Sequence, residues 1–321
     1  MKLSIIVPVY KGVKDLKRFI KKMSEQTSLK FEIVFVVDTN NDGVLQTIDK
    51  IPSRIKSKVN VVYNSKRVGR TEAIYTGAKA AKYEYSIVIS STDLFDTNMV
   101  KNVLAMTKAK QTDIIEFPAK FKEPLKFNGA IRKNRNKSTL IKDKPSILAY
   151  TYPFGFNKIF RTEILVKSGK LKRLININSR FSIEYVYKSF LVAETYSTSK
   201  KSIIISRSSK DGTFNPLKLM RQWTSLEKYI KENYEDEYHA EITYARMFHE
   251  MVFMFGFVGV SKNKVLFNKL KRTFNNSLKD EFEGFFFTNK YMLMDNKETQ
   301  LIRKHDTPEK LTKVFKTISN G

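Results

Sequence analysis

Over the first 117 residues the hydrophobic positions alternate between two rhythms. Leu3–Val9 is a near-continuous apolar run, as a strand covered on both faces requires. Val13, Leu16, Phe19, Ile20 and Met23 then fall at helical spacing, with lysines filling the opposite face. Phe31–Val37 predicts a second buried strand, and Val44, Leu45, Ile48 and Ile51 a short second helix. A third strand follows at Val59–Tyr63, and Ala73, Ile74, Gly77, Ala78 and Ala81 form the small-residue face of a third helix. Tyr85–Ser90, Met99–Met106 and Asp113–Phe117 predict a fourth strand, a fourth helix and a fifth strand. Strict strand–helix alternation is the signature of a mostly parallel sheet flanked by helices.

The rhythm breaks between Ala119 and Lys144, where Lys and Asn dominate around Gly129; this stretch predicts a mobile loop or hairpin over the sheet. Residues 145–205 return to mixed α/β character. Asn215-Pro216 is a helix-start signal, with Asn as N-cap and Pro at the first helical position, and Thr307-Pro308 repeats it. Leu219, Trp223, Leu226 and Ile230 fall at helical spacing after the first of these. The chain therefore divides into an α/β domain over 1–215 and a helical, basic region over 216–321. Within the former, 1–117 forms a first half and 118–215 a second.

Charge changes this picture more than length does. The 321 residues carry 59 Lys and Arg against 32 Asp and Glu, a formal charge of +27. Such an excess suits nucleic acid, anionic lipid headgroups or negatively charged small substrates. The lysine-over-arginine bias, with abundant Asn, Ile, Phe and Tyr, is also what an A/T-biased genome produces. No helix-turn-helix, RRM, KH or zinc-finger pattern occurs, which argues against a nucleic-acid partner. Cysteine is absent, so neither a disulfide framework nor a thiolate metal site can form. The apolar start is too short for a signal peptide and reads as the first strand. The longest later apolar run, Met251–Val260, is about half of the ~20 residues that span a bilayer.

The order of short motifs identifies a resemblance. Ser4-Ile5-Ile6-Val7-Pro8-Val9-Tyr10, Ser24-Glu25-Gln26-Thr27 and Phe31–Asp38 succeed one another, followed by Gly69-Arg70-Thr71-Glu72-Ala73, Gly77 and Ala81–Tyr85. Phe156-Asn157-Lys158-Ile159-Phe160-Arg161 comes later. Together they resemble family 2 glycosyltransferases across roughly residues 1–215. The resemblance implies a GT-A fold, the nucleotide-diphospho-sugar transferase fold, with a helical C-terminal extension. It also implies inverting transfer from a nucleotide-sugar donor, a UDP-sugar first among them. Pro8, Val9, Tyr10 and Asp38 would hold the uracil-type base, in keeping with ligand binding at the carboxyl ends of strands. Arg70 would contact the diphosphate or ribose, and Asn157 and Lys158 would lie on the acceptor side. Asp38 sits in a segment rich in turn chemistry, Asp38-Thr39-Asn40-Asn41-Asp42-Gly43, and a turn role competes with base recognition.

Two departures from the family pattern stand out. Family members carry Asp-x-Asp or Asp-x-Asp-Asp after the fourth strand to hold Mg²⁺ or Mn²⁺. Here Ser90 and Thr92 occupy the first two carboxylate positions and only Asp93 survives, as a metal ligand or as a cap of the following turn. The family's base comes from a Glu-Asp pair at a helix start. Here Glu184 is kept and Tyr185 stands at the aspartate position. Glu184 is then the candidate catalytic base, or only a helix-start carboxylate. Tyr185 is a poor base near neutral pH. His239, His249 and His305 are too widely spaced for a helical metal pair, and Arg221-Gln222-Trp223 has the wrong order for the Gln-x-x-Arg-Trp of processive synthases.

The C-terminal third mixes Lys262–Arg272 with Phe285-Phe286-Phe287 and Tyr291-Met292-Leu293-Met294. This pattern suits a peripheral position on the anionic inner face of the cell membrane, from the cytoplasmic side, with a lipid-linked or glycan acceptor. A self-packed helical bundle or a homodimer contact would use the same residues. A non-catalytic subunit that binds a nucleotide sugar without turnover remains the alternative to an active transferase.

Overall fold

The computed structural model describes residues 1–10, 12–38, 42–123, 126–174, 183–207, 216–234, 237–260, 263–305 and 307–319. Its first part runs β1 (Leu3–Val9), α1 (Val13–Ser24), β2 (Phe31–Val37), α2 (Asp42–Asp49), α3 (Ser53–Lys56), β3 (Val59–Tyr63), α4 (Arg70–Ala80), β4 (Tyr85–Val88), α5 (Met99–Lys110) and β5 (Ile114–Glu116). Every residue of β1 and β2 is buried, which is why both read as apolar runs without alternation. Leu3 pairs in parallel with Phe31 on one side and Tyr85 on the other. Gly77 lets α4 close onto this sheet, since a Cβ there would meet Ile6 at 2.5 Å and Val36 at 3.0 Å.

The second part adds β6 (Ala119–Glu123), β7 (Phe127–Gly129), β8 (Thr139–Leu140), α6 (Ser146–Tyr150), β9 (Lys158–Arg161), α7 (Thr162–Ser168), α8 (Ile183–Val192), β10 (Thr195–Thr198) and β11 (Ile205–Arg207). An eight-stranded sheet results, ordered β3-β2-β1-β4-β9-β5-β10-β8. Only β9 and β8 run against the others. The Lys/Asn-rich stretch is an antiparallel hairpin of β6 and β7, extended by β11 into a second, three-stranded sheet. Phe121 and Phe127 face each other in register and are buried while Lys122 is exposed, so lysine masks a period-two pattern.

Beyond residue 215 come α9 (Pro216–Asn233), α10 (His239–Met247), a π-helical stretch Phe248–Met254, α11 (Phe255–Val260), α12 (Lys264–Thr273), α13 (Lys279–Thr288), α14 (Lys290–Leu293), α15 (Lys297–Arg303) and α16 (Pro308–Ser319). These helices share one apolar core with the sheet domain. Phe127 of β7 stacks on Phe315 of α16 at 5.4 Å, and Arg132 lies 3.4 Å from the Phe248 ring centre while pairing with Glu298 at 2.6 Å. Much of the aromatic surface anticipated for a membrane is turned inward: Phe282, Phe285, Tyr291 and Met292 are buried, whereas Val265, Phe287, Leu293 and Met294 are exposed. No helix among the described residues is long and apolar enough to cross a membrane.

Candidate active site

The carboxyl ends of β1, β2 and β4 open on one edge of the sheet, and the segments leaving them carry the polar groups. Pro8 and Val9 are strand residues paired with Val36 and Val37; they fix where Tyr10 emerges. Asp38 follows β2 directly, its N–H bonded to the Val9 carbonyl. Its carboxylate accepts from the N–H groups of Val68 (2.8 Å) and Gly69 (3.0 Å). Gly69 has φ of 86°, a conformation favouring glycine, and the chain turns there directly into α4. Asp38 thus shapes the turn before α4, a partner the sequence did not indicate.

Arg70 opens α4, whose N-cap makes no side-chain hydrogen bond. A helix start and a guanidinium together favour an anion. Arg70 Nε and the Tyr10 hydroxyl are buried with no hydrogen-bond partner among the described residues. Burial raises the Tyr10 hydroxyl pKa, and the charges of Arg70, Asp38 and Arg67 all act on it, so the four groups share one neighbourhood.

The turn after β4 is differently built from what a metal site needs. Strand pairing ends with Ile89, whose N–H reaches the Ile6 carbonyl. Asp93 Oδ2 then accepts from the Ser90 N–H (2.8 Å), while Oδ1 accepts from the Ser206 hydroxyl (3.2 Å) and the Arg207 N–H (3.4 Å). The hydroxyls of Ser90 and Thr92 bond each other at 2.9 Å. Arg18 donates to the carbonyls of Thr92 (3.0 Å) and Ser91 (3.5 Å), and Asp15 pairs with both Arg18 (2.9 Å) and Arg207 (3.6 Å). Hard divalent cations want carboxylates and other oxygens left free to coordinate. Here the positions of two such carboxylates hold hydroxyls, Asp93 is engaged in the turn, and the described residues contain no metal-holding group of three or more His, Asp or Glu. The residues present do not fit the Mg²⁺ or Mn²⁺ that the resemblance implied.

Helix α8 separates Glu184 from Tyr185, since successive helical residues point about 100° apart. Glu184 Oε1 accepts from Lys188 Nζ (2.6 Å) and the Leu174 N–H (3.1 Å), and the ion pair is buried. Its charge is felt by Tyr75, whose hydroxyl burial raises. Tyr185 also acts on Tyr75. Burial raises its hydroxyl too, but the charges acting on it are Arg70 and Asp93. A Cβ on Gly155 would lie 1.1 Å from the Tyr185 hydroxyl, so the phenol fills the space that this glycine leaves. Arg70 and Asp93 therefore act on a phenol, and the carboxylate expected as base faces a lysine.

Asn157 and Lys158 are fully buried. Lys158 Nζ donates to the carbonyls of Tyr152 (2.6 Å) and Phe154 (3.0 Å) and to Asn157 Oδ1 (3.1 Å), with Glu116 at 3.4 Å. Burial lowers its pKa to about 8. Glu116 also accepts from Thr151 (2.6 Å), Tyr196 (2.8 Å) and the Asn157 amide (3.2 Å). This hub holds the 151–157 loop that carries Gly155, with both side chains turned to protein partners. Glu116 and Gly155 escaped the sequence reading, although a lone carboxylate inside a buried strand is itself a signal.

The sheet order, the flanking helices and this edge define a GT-A glycosyltransferase fold. Solved structures share it. Over its whole length the chain superposes on Staphylococcus aureus TarS, covering 90% of that chain with TM-score 0.64 at 18% identity. A TarS complex with UDP-GlcNAc gives 0.62 at 16%. A Pyrobaculum calidifontis mannosyltransferase bound to GDP-Man and Mn²⁺ gives 0.54 at 14%, over 90% of this chain and 84% of that one. The model of glycosyl transferase family 2 matches residues 4–168, about half of the chain, and the chain belongs to that family. Among curated proteins it is 26% identical to the glycosyltransferase GlyG of Streptococcus pneumoniae over 113 residues, 35% of this chain and 37% of that one. It is 24% identical to the poly(ribitol-phosphate) β-N-acetylglucosaminyltransferase TarS of Staphylococcus aureus over 172 residues, 51% of this chain and 28% of that one. The matches span about a third of those relatives' lengths.

Proposed function

We propose that this chain transfers a sugar from a UDP-sugar to a lipid-linked or polysaccharide acceptor, with inversion at the anomeric carbon. The observation that carries the reading is the convergence of Tyr10, Asp38 and Arg70 at the carboxyl ends of β1 and β2, with the Tyr10 hydroxyl and Arg70 Nε left without partners among the described residues. Asp38 has lone pairs beyond those its two backbone donors use, and these accept the uracil N–H. Arg70 and the first amides of α4 meet the diphosphate. The similarity to TarS, solved with UDP-GlcNAc, favours UDP over other nucleotides. Asn157 and Lys158 act from beneath by fixing the loop at Gly155, and Tyr185 lines the acceptor side as a neutral group.

A second reading has its own observation. Glu184 is committed to Lys188, and a phenol stands where the family's base does, so a protein that binds the donor without transfer is consistent with the geometry. A donor screen decides: UDP-, GDP- and dTDP-sugars are incubated with the protein and nucleotide release is followed. Transfer predicts slow UDP release from a UDP-sugar, abolished by Arg70→Ala; tight UDP binding without release from any donor establishes the second reading.

The basic C-terminal helices, with Phe287, Leu293 and Met294 exposed, fit a peripheral position at the cytoplasmic face of an anionic membrane. Salt-sensitive co-sedimentation with anionic but not neutral vesicles supports this. A self-associating protein that ignores both vesicles points to a homodimer contact instead.

A further inference from the structure

We propose that the donor diphosphate is held here without a divalent cation, by arginine and hydroxyl groups. The inference rests on the nucleotide-sugar reading above and concerns how that same site works. Its starting point is the turn after β4, where both carboxylate positions are hydroxyls and Asp93 is occupied by Ser90, Ser206 and Arg207.

Charge bookkeeping shows why such a site remains serviceable. Two carboxylates with one divalent cation sum to zero charge, and two hydroxyls with no cation also sum to zero. The diphosphate therefore meets the same net charge at this turn in either arrangement. Losing only the carboxylates would leave a cation with weak ligands, because neutral hydroxyls bind a strongly hydrated ion poorly. Arg18 makes cation binding less favourable still. Its guanidinium donates to the Ser91 and Thr92 carbonyls, using oxygen dipoles that a metal would need and placing a like charge beside it.

The positive groups that remain are suited to a diphosphate. Arg70 is near enough to both Tyr10 and Tyr185 for its charge to act on their hydroxyls. Its Nε has no partner among the described residues, and it stands at the uncapped start of α4. Arg67 acts on Tyr10 from the preceding turn. Guanidinium groups donate in a planar fork that matches phosphate oxygens and need no metal between. Of the Ser90 and Thr92 hydroxyls, 2.9 Å apart, one donates to the other and the second can turn its hydrogen outward to a ligand.

Isothermal titration calorimetry with UDP, in EDTA and again in Mn²⁺, tests this. Affinities in the two conditions should agree within about threefold, and Arg70→Ala should weaken binding in EDTA by about tenfold or more. The double variant S90D/T92D restores two carboxylates without touching Arg70. It should bind UDP at least about tenfold more weakly in EDTA than wild type and recover in Mn²⁺. Wild-type binding that appears only with Mn²⁺ overturns this inference and leaves the donor reading standing. Absence of binding in both conditions overturns the donor reading, and this inference with it.

Discussion

Replacing Gly155 with alanine drives a methyl group into the Tyr185 phenol. The new Cβ would lie 1.1 Å from the hydroxyl oxygen, 2.2 Å from Cζ and 3.0 Å from Cε2. Since ordinary contacts begin at about 3.5 Å, the ring or the loop must withdraw by roughly 2 Å. Neither has room to do so. The ring is 2% exposed and packs against Phe160 at 6.1 Å. The loop is tied by Lys158, which holds the Tyr152 and Phe154 carbonyls and whose N–H bonds the Gly155 carbonyl at 3.1 Å. Overpacking of this kind costs about 1–3 kcal/mol, and the rigidity on both sides puts this site near the upper end. The thermal midpoint should then fall by roughly 3–5 °C for a chain of this size. UDP affinity should fall too, because a displaced Tyr185 crowds Arg70. A double-mutant cycle with Tyr185→Ala makes the test specific: the second substitution removes the obstacle, so the two costs should fall short of additivity by at least about 1 kcal/mol. A Gly155→Ala protein as stable as wild type, or a cycle that adds up, would refute the packing argument.

Three further outcomes follow from the partners each group has. Asp38→Ala deprives the Val68 and Gly69 N–H groups of their acceptor, which should cost about 2–4 kcal/mol by denaturant titration and weaken UDP binding; unchanged stability and affinity would contradict the placement. Glu184→Gln breaks a buried ion pair, so stability should drop while turnover per folded molecule changes by no more than about threefold. If donor affinity and folding hold but turnover falls about a hundredfold, Glu184 is the base after all. Glu250 is buried beside Arg246 in a cluster with Glu227 and Glu281, and burial raises its pKa from 4.5 to about 8. The folded state therefore holds that proton more tightly than the unfolded chain does, so the stability gained below pH 4.5 is lost as pH rises towards 8. Measured against Glu250→Gln, wild-type stability should decline from pH 5 to 8; a constant difference would remove the titration from the account.

The parallel half of the fold was legible because buried strands and amphipathic helices write their environment into apolar spacing. Phe31–Val37 has no polar face to interrupt it, and α1 confines its lysines to one side. The β6–β7 hairpin was half legible. Its inward Phe121 and Phe127 are two residues diluted among lysines, too few for a period to show. Around the candidate site, proximity was legible but direction was not. Tyr10, Asp38 and Arg70 come together as position implied. Which way Glu184 and Tyr185 point depends on the phase of α8 against α4 and the 151–157 loop, a tertiary property that motif order does not encode. Similarly, Asn157 and Lys158 stand out by motif resemblance alone, which does not show their burial; Glu116 and the Phe117, Tyr152 and Phe154 carbonyls make that burial tolerable.

The central claim is that a uridine nucleotide sits at the carboxyl ends of β1 and β2, and a crystal structure of the protein with UDP tests it most directly. The account predicts the uracil beside Tyr10 with its N–H on Asp38, and the diphosphate on Arg70 and the first turn of α4. Nucleotide bound elsewhere on the surface, or at this edge with the diphosphate away from Arg70, would contradict it.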